Sequence, residues 1–437
     1  MARMKWSGQE MTILAARQTD LTTENTVGAS FTAFAAAVDV PDHAQEQEDF
    51  SDLAAGQFGA YEPPAPGSRS GGTISIRMPL EALKAGYDPT SEDPGSAGVI
   101  SPAMVLLGNA LGSAGSSAVS SDAEFWQGYV LARTGYHAGS VNATGSTTSS
   151  VKVDDQSYYT AGALAIWGTT ASEATPSVGW AKTLTNDTQD LVDTFEPMAV
   201  APANADDAFG TATAYLSSAE PVPLTMHILG DNAAFKYAYI GCVANRVKLD
   251  GMSGKTPMIE IDYTFTARKR YSTGGGLSAP ANFTRARPFL GRYGGRFLVD
   301  GTAACGWGDF SVEVNFDIIP VECPNKEEGY SEFVRRLASV NVAAQIPIDS
   351  SDTITDNNSP METKYANGTT MSIGGYMGQT IGGIASFLLP SVSLAEAPQL
   401  VDINGILGES IVARPAAYSG DTGSTAPADT LFRVAVG

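Results

Sequence analysis

The sequence predicts a mainly β protein of the α+β class, in which one β-sandwich or barrel unit occurs twice, each copy with a flanking helix. Two observations predict this fold. Apolar and polar residues alternate along several segments, which is the pattern of strands with one buried face. The same succession of strand, helix, strand and hairpin occurs twice along the chain, as expected for a duplicated unit. A long lobe is inserted into the first copy.

The first copy begins with an alternating strand over residues 73–78. A helix is predicted next, over 101–111. Ser101 is a favoured N-cap, Pro102 suits the first helical position, and Gly112 suits the C-terminal cap. These signals are local, and together they define both ends of the helix.

The clearest β signal comes from the hairpin 242–266, which follows alternating strands over 224–240. On its first strand, the alternation places Asn245 with Val247, opposite Arg246. On its second strand, an apolar face alternates with a polar face, as in an antiparallel sheet with one wet side. The apolar face contains Ile259, Ile261, Tyr263 and Phe265, and the polar face contains Glu260, Asp262 and Thr264.

The second copy repeats this order from residue 310 onward. A strand is predicted over 310–318, with Glu313 on its polar face, followed by a helix over 330–345. The helix is predicted because Tyr330, Phe333, Val334 and Leu337 stand at the spacing of one helical face. A strand over 384–389 follows. The closing hairpin, 391–414, turns at Asn404-Gly405, a dipeptide typical of tight turns.

These elements divide the chain into five parts. The parts are an N-terminal arm (1–70), a first unit (71–267) with its insertion at about 113–205, a basic connection (268–296), a second unit (297–416) and a C-terminal tail (417–437). The insertion in the first unit is a long lobe that is poor in basic residues and rich in small ones. We therefore expect it to project outward and to be dispensable for assembly.

Composition argues against several classes of function. The 437 residues include 26 Lys and Arg against 47 Asp and Glu, a net charge of −21, which disfavours wrapping of nucleic acid. Cys242, Cys305 and Cys323 have no metal-ligand spacing and are predicted to be reduced thiols. No apolar run is long enough to span a bilayer, and the N-terminus lacks a signal peptide, so we expect a cytoplasmic product without a membrane partner.

No catalytic, cofactor-binding or metal site is predicted, and we expect no enzymatic activity. The chain has three histidines, His43, His137 and His227, and none of the common nucleophile, phosphate-loop or zinc motifs. Glu260 and Asp262 share a strand face, as a pair of glycosidase carboxylates could. The solvated face of a sheet accounts for that spacing more simply.

Three pairs of segments have distinctive strand patterns. They are Gly241-Cys-Val-Ala-Asn-Arg-Val-Lys-Leu-Asp-Gly-Met-Ser-Gly254 with Pro257-Met-Ile-Glu-Ile-Asp-Tyr-Thr-Phe265, then Arg296-Phe-Leu-Val-Asp-Gly301 with Phe310-Ser-Val-Glu-Val-Asn315, and Ala385-Ser-Phe-Leu-Leu-Pro-Ser-Val392 with Ala397-Pro-Gln-Leu-Val-Asp-Ile-Asn-Gly-Ile406. In this order they resemble the major tail proteins that form the tail tubes of long-tailed bacteriophages. The hairpin of that family has a G-C-x-V-x-x-L-x-I-x-G strand, and this chain departs from it in having Ala244 at the first Val position.

This resemblance implies a structural subunit that assembles into stacked rings, in a virion tail built in the host cytoplasm. The hollow tube would contain tape-measure protein and later conduct DNA, and it would contact tail terminator and distal tail proteins. Tubes of this family usually have six copies of the fold per ring, so a duplicated chain implies a trimer with pseudo-sixfold symmetry, and a single copy implies a hexamer. We expect Glu260, Asp262, Thr264 and Glu313 to face the lumen.

A different class of function remains open, namely a carbohydrate-binding or fibre-like β protein of a virion or cell surface. Such a protein would use exposed aromatic rings as stacking platforms. The candidate rings lie in the inserted lobe and are Trp126, Tyr158, Tyr159 and Trp167. Packing of these rings inside the lobe is the competing interpretation.

Overall fold

A computed structural model gives the fold of most of the chain. The structure describes residues 12–18, 21, 23–25, 32–34, 37–39, 44–48, 65–70, 72–84, 87–88, 99–112, 129–131, 140–142, 146–169, 176–186, 190–217, 222–230, 235–252, 256–271, 286–288, 296–304, 309–323, 330–348, 360–378, 380–403, 405–420 and 429–437. Most of the predicted basic connection 268–296, together with Trp126, His43, His137 and Asn404, lies outside these residues.

The chain is mainly β, with two α-helices among the described residues. The helices are α1 (Pro102–Leu111) and α2 (Pro360–Asn367). The strands are β1 (Thr12–Arg17), β2 (Thr32–Phe34), β3 (Ala37–Asp39), β4 (Ala44–Glu48), β5 (Ala65–Ser70), β6 (Thr73–Pro79), β7 (Glu81–Lys84), β8 (Tyr129–Leu131), β9 (Ser150–Val153), β10 (Leu164–Gly168), β11 (Ser177–Asn186), β12 (Asp190–Thr194), β13 (Asp207–Phe209), β14 (Thr211–Tyr215), β15 (Leu224–Gly230), β16 (Phe235–Met252), β17 (Met258–Thr264), β18 (Ala267–Tyr271), β19 (Ala286–Pro288), β20 (Arg296–Val299), β21 (Thr302–Ala304), β22 (Asp309–Glu322), β23 (Tyr330–Pro347), β24 (Met371–Met377), β25 (Ala385–Leu394), β26 (Gln399–Ile403), β27 (Ile406–Pro415) and β28 (Arg433–Val436).

One antiparallel sheet extends through both halves of the chain. Its strands lie in the order β3, β6, β17, β16, β22, β23, β27 and β26. The pair β16–β22 joins the two halves, with Val247 opposite Val314. Side chains alternate between the two faces of a strand, so this sheet has one apolar and one polar face, as the hairpin 242–266 predicted.

A second sheet branches from the first within β16. The N-terminal half of β16 pairs with β15 and β18, and its C-terminal half pairs with β17 and β22. Gly241 lies where the pairing partners of β16 change, and its φ is 66°. Its backbone N–H donates to Gln18 Oε1 at 2.7 Å. A Cβ at this position would lie 2.5 Å from both Leu21 O and Thr266 Oγ1. Glycine is therefore required for both the conformation and the space.

Helix α1 covers the apolar face of the sheet and is buried along its whole length. Its ends agree with the prediction, because the Ser101 hydroxyl accepts the Met104 N–H at 3.3 Å and Gly112 adopts the left-handed conformation. Around the helix lies one large core that includes Ile76, Ile261 and residues of both halves. The burial of this shared core stabilises the two halves as one body.

The predicted helix over 330–345 is wrong, because this segment is strand β23. It forms a long hairpin with β22, in which Val340, Val342 and Ala344 alternate into the core. The misleading residues lie nearer the tip, where Val334 and Leu337 are 40% and 41% exposed. Neither face of that part of the β22–β23 hairpin is buried deeply. Its apolar residues therefore do not alternate with polar ones as in a strand with one buried face. Helix α2, which lies further along, was not predicted.

The inserted lobe is packed on the body and is not a free projection. Its five strands form a sheet in the order β13, β10, β11, β12 and β9. Apolar residues of β10 and β11 share a core with Ile384 and Leu388 of the second unit. The Trp180 Nε1–H also donates to Ser386 Oγ at 2.8 Å in this buried interface. Deletion of the lobe would expose this apolar surface, so the expectation of dispensability is not supported.

Candidate functional site

The polar face of the long sheet brings together the residues predicted to face a lumen. Glu260, Asp262 and Thr264 lie on β17, next to β16, and Glu313 lies on β22 at the other side of β16. All four side chains are half-buried. Arg246 on β16, which the sequence did not single out, lies between them.

A β-bulge in β16 places Arg246 on this face. The pairing of β16 with β17 shifts between Ala244 and Arg246, so that Ala244 lies opposite Tyr263 and Arg246 lies opposite Asp262. The extra residue is Asn245, whose Nδ2–H donates to Thr264 Oγ1 at 3.1 Å on the polar side. The expected grouping of Asn245 with Val247 is therefore wrong. Bulges re-aim side chains in this way.

Arg246 contacts three carboxylates on two neighbouring strands. Its Nη1 lies 2.8 Å from Glu260 Oε1 and 3.0 Å from Asp262 Oδ2, and its Nε lies 3.3 Å from Glu313 Oε1. Burial disfavours the charged guanidinium, but the hydrogen bonds to Asp262 and Glu260 outweigh it and raise the pKa of Arg246 above its usual range. Arg246 therefore remains a cation that holds these carboxylates against the sheet.

The charges on this face nearly cancel around Arg246. Besides Arg246, the cations are Arg77, opposite Glu260 on β6, and Lys248, whose Nζ lies 2.9 Å from Asp250 Oδ1. Next to Glu313 on β22 and on the neighbouring β23, the face carries neutral polar residues, among them Asn315, whose Nδ2–H donates to Ser339 Oγ at 3.3 Å. Paired charges at close range present a weak field to a distant polyanion. The face is thus polar and only slightly acidic.

A glycine and a phenylalanine stabilise the joint between β16 and β22. Gly251 lies opposite Phe310, and a Cβ at Gly251 would come within 1.9 Å of Phe310 Cε1. The Phe310 ring instead stacks on Phe387 with centroids 4.6 Å apart and planes at 8°. Glycine is therefore required at position 251 by the close packing of the Phe310 ring.

His227 belongs to a buried polar cluster that holds the N-terminal segment on the sheet. Glu24 Oε1 lies 2.9 Å from His227 Nε2 and 3.2 Å from Lys236 Nζ, and Glu24 Oε2 accepts the Tyr271 hydroxyl. Burial disfavours the carboxylate, but the hydrogen bonds from His227, Tyr271 and Lys236 outweigh it and lower the pKa of Glu24 to about 2. The side chain of His227 is fully buried. The cluster ties β15, β16 and β18 to residue 24.

Glu196 is a buried carboxyl at the contact between the inserted lobe and the second unit. Its Oε1 accepts the Ser372 hydroxyl at 2.7 Å. Burial raises the pKa of Glu196 to about 6, against the lowering effects of Ser372 and Arg296. Asp300 lies near and is itself paired with Lys364 at 2.6 Å. We therefore expect this contact to weaken as the pH rises through about 6, where the buried carboxyl ionises.

The aromatic residues proposed as sugar-stacking platforms are mostly buried. Trp167 is fully buried, and its Nε1–H donates to the Tyr159 hydroxyl at 2.9 Å. Tyr159 is itself 4% exposed, and Tyr158 is 42% exposed. Of the three candidate rings that the structure describes, one is accessible to a ligand.

Exposed apolar side chains gather at two places at opposite ends of β23. At the ribbon tip, Ile319 is 47% exposed and lies directly opposite Val334. At the other end, Leu407 is 58% exposed, beside Ile348. The intervening stretch of β23 spans about 40 Å at about 3.3 Å per residue. We call these two areas the ribbon patch (Ile319, Val334, Leu337) and the hairpin patch (Leu400, Ile406, Leu407).

Neither helix in the described part of the chain is long and apolar enough to cross a membrane. Within the same residues, no group of three or more His, Cys, Asp or Glu could hold a metal ion. No protein-family model matches the chain, and no curated protein matches its sequence.

Proposed function

We propose that the chain is a structural subunit that assembles into stacked rings and forms the hollow tail tube of a long-tailed bacteriophage. The observation that carries this proposal is the polar face of the sheet that joins both halves. It is continuous from β6 to β27, and its opposite face is covered by the core and α1. A sheet with one wet, nearly neutral face suits the wall of a water-filled channel.

The balance of charge supports a conduit for DNA. A wall rich in free Lys or Arg would bind phosphates and release counterions, which would retain the genome. Arg246 is instead bound by Glu260, Asp262 and Glu313. Such a wall lets a polyanion pass without strong attraction. The tape-measure protein would occupy the same channel before the DNA.

The two apolar patches support stacking of rings. Each patch exposes large aliphatic side chains on both faces of a strand pair, and clusters of exposed apolar side chains mark interaction sites. Because the patches lie at opposite ends of β23, contact between the ribbon patch of one copy and the hairpin patch of the next would build an open-ended stack. The ends of that stack would contact tail terminator and distal tail proteins in a virion tail.

Electron microscopy of the purified chain tests this function. We expect negatively stained preparations to contain rings and tubes of constant diameter. Replacement of Val334 and Leu337 by Ser should leave rings but reduce their stacking, whereas Tyr365→Ser, on exposed α2, should leave tubes unchanged. A protein that stays a discrete monomer at high concentration, or that binds glycans instead, would contradict the proposal.

A further inference from the structure

The two halves of the chain contain the same elements in the same order. Each half has four strands, then a helix, then four further strands, where β25 and β26 together count as one strand in two segments. In the first half these are β1, β2, β3, β6, α1, β15, β16, β17 and β18. In the second half they are β20, β21, β22, β23, α2, β24, β25 with β26, β27 and β28. The first half has further strands between these elements, namely β4, β5 and β7 to β14. The sequence-based match of strand 73–78 with strand 310–318 is therefore wrong, because β6 corresponds to β23 and α1 corresponds to α2.

The strand pairs of the two halves also agree. In the first half the strands lie side by side in the order β3, β6, β17, β16, β15, β1 and β2, and β18 pairs with β16. In the second half the order is β22, β23, β27, β25, β24, β20 and β21, and β28 pairs with β25. Every one of these pairs is antiparallel. Agreement of both order and pairing indicates one fold used twice.

One strand pair connects the two copies. The fourth strand of the first copy in this order, β16, pairs with the first strand of the second copy, β22, over residues 246–252 and 309–315. The two outer strands of the long sheet correspond to these two. The strand β26, which continues β25 along β27, corresponds to β16, and β3 corresponds to β22. Within the described residues, β26 pairs with β27 alone. Unpaired edges of this kind are ready to accept a further strand.

We propose that β26 of one chain pairs antiparallel with β3 of a neighbouring chain, and so repeats between chains the joint that β16 and β22 form within one. The partner is a second copy of this chain. The contact is heterologous, so it closes into a ring when its rotation divides the circle. The inference rests on the proposed function, because it describes how the subunits of the tube meet.

The size of the resulting channel favours three chains per ring. Each chain contributes eight strands to the long sheet. Three chains would form a barrel of about 24 strands, roughly 48 Å across between backbones at about 4.8 Å per strand and about 40° of tilt. That width admits one DNA duplex once side chains are added. Six chains would double it to roughly 95 Å and leave the duplex far from the wall.

Hydrogen exchange on assembled protein tests the contact directly. Backbone amides of residues 399–403 and 37–39 should exchange more slowly in rings than in unassembled chains. Those of β18, which in the described part of the chain pairs with β16 away from the proposed contact, should not change. Native mass spectrometry of the same rings should give three chains. Failure of the chain to assemble would refute the proposed function, whereas assembly without protection of β26 would refute this inference alone.

Proline variants provide a second measurement. Successive amides of a strand point to opposite edges, so one of Leu400→Pro and Val401→Pro removes an outward N–H while the other disturbs pairing with β27. The variant that keeps the stability of the unaltered protein should fail to form rings. The matched pair Lys269→Pro and Arg270→Pro in β18 should contain a folded variant that still assembles. Ring formation by the folded β26 variant would overturn the inference.

Discussion

The side chains of Arg246 and Glu260 meet across the β16–β17 pair, with Arg246 Nη1 2.8 Å from Glu260 Oε1. The same guanidinium reaches Asp262 on β17 and Glu313 on β22. One cation therefore links two strands of the first half to the first long strand of the second half. The same cation offsets part of the negative charge of the polar face. A change at Arg246 should therefore affect both the stability of the fold and the passage of DNA.

Removal of the central cation should make the face acidic without preventing folding. We expect Arg246→Gln to lower the free energy of unfolding by about 1 kcal/mol, because the ion pairs are partly exposed to solvent. The loss should be larger at low salt, since screening weakens such pairs. Urea denaturation at two salt concentrations measures it. In the control, Arg336→Gln, which breaks the exposed pair with Asp317, stability should change by less than about 0.5 kcal/mol.

Reversal of charge on the same face should slow passage of DNA. Glu260→Lys with Asp262→Lys adds cations beside Arg246, and free cations bind phosphates. We expect phage carrying both changes to eject DNA on the order of tenfold more slowly at low salt, with partial recovery at high salt. Asp154→Lys with Asp193→Lys, on the inserted lobe, makes the same change of charge elsewhere. Equal slowing by both pairs would show that the polar face has no special role.

The buried Glu24 cluster should stabilise the fold in a pH-dependent way. The pKa of Glu24 is about 2 in the folded chain against an ordinary 4.5, so its contribution is present above about pH 4.5 and lost as the pH falls toward 2. Glu24→Gln should therefore cost roughly 2 kcal/mol at pH 7 and little at pH 2.5. Chemical denaturation across this range measures the difference. Exposed Glu332→Gln is the control, and a pH-independent loss for Glu24→Gln would contradict the assignment.

Glu196 should have the opposite dependence on pH. Its folded pKa of about 6 lies above the ordinary 4.5, so the stability that goes with its protonated form is present below pH 4.5 and is lost as the pH rises through 6. Glu196→Gln is always neutral and should stabilise the protein by roughly 2 kcal/mol at pH 8, with no gain at pH 4.5. Thermal unfolding at both pH values checks this. Destabilisation at pH 8 would mean that the ionised carboxylate is required.

Local signals predicted the elements whose ends are defined by a few neighbouring residues. Ser101, Pro102 and Gly112 define α1 without help from the rest of the chain. Strict alternation similarly predicted β17, because its apolar face lies on the core along its whole length. The sequence therefore predicted a mainly β fold and the four polar residues that share one face.

Features that depend on distant partners were not predictable. Val334 and Leu337 have helical spacing, yet the strand β22 beside them determines their conformation. The bulge at Asn245 leaves no mark on the sequence, and Arg246 joins Glu313 only because β22 lies next to β16. Trp180 and Ser386 are likewise far apart in sequence, so the docking of the inserted lobe could not be read from composition. Each of these errors concerns tertiary contacts that override a local pattern.

A helical reconstruction of the assembled protein tests the central claim most directly. We predict a hollow tube in which Glu260, Asp262, Thr264 and Glu313 line the lumen, and in which the apolar face of the sheet points away from it. The rings should contain three chains. A tube with these four residues on its outer surface, or a protein that forms no tube, would contradict the account.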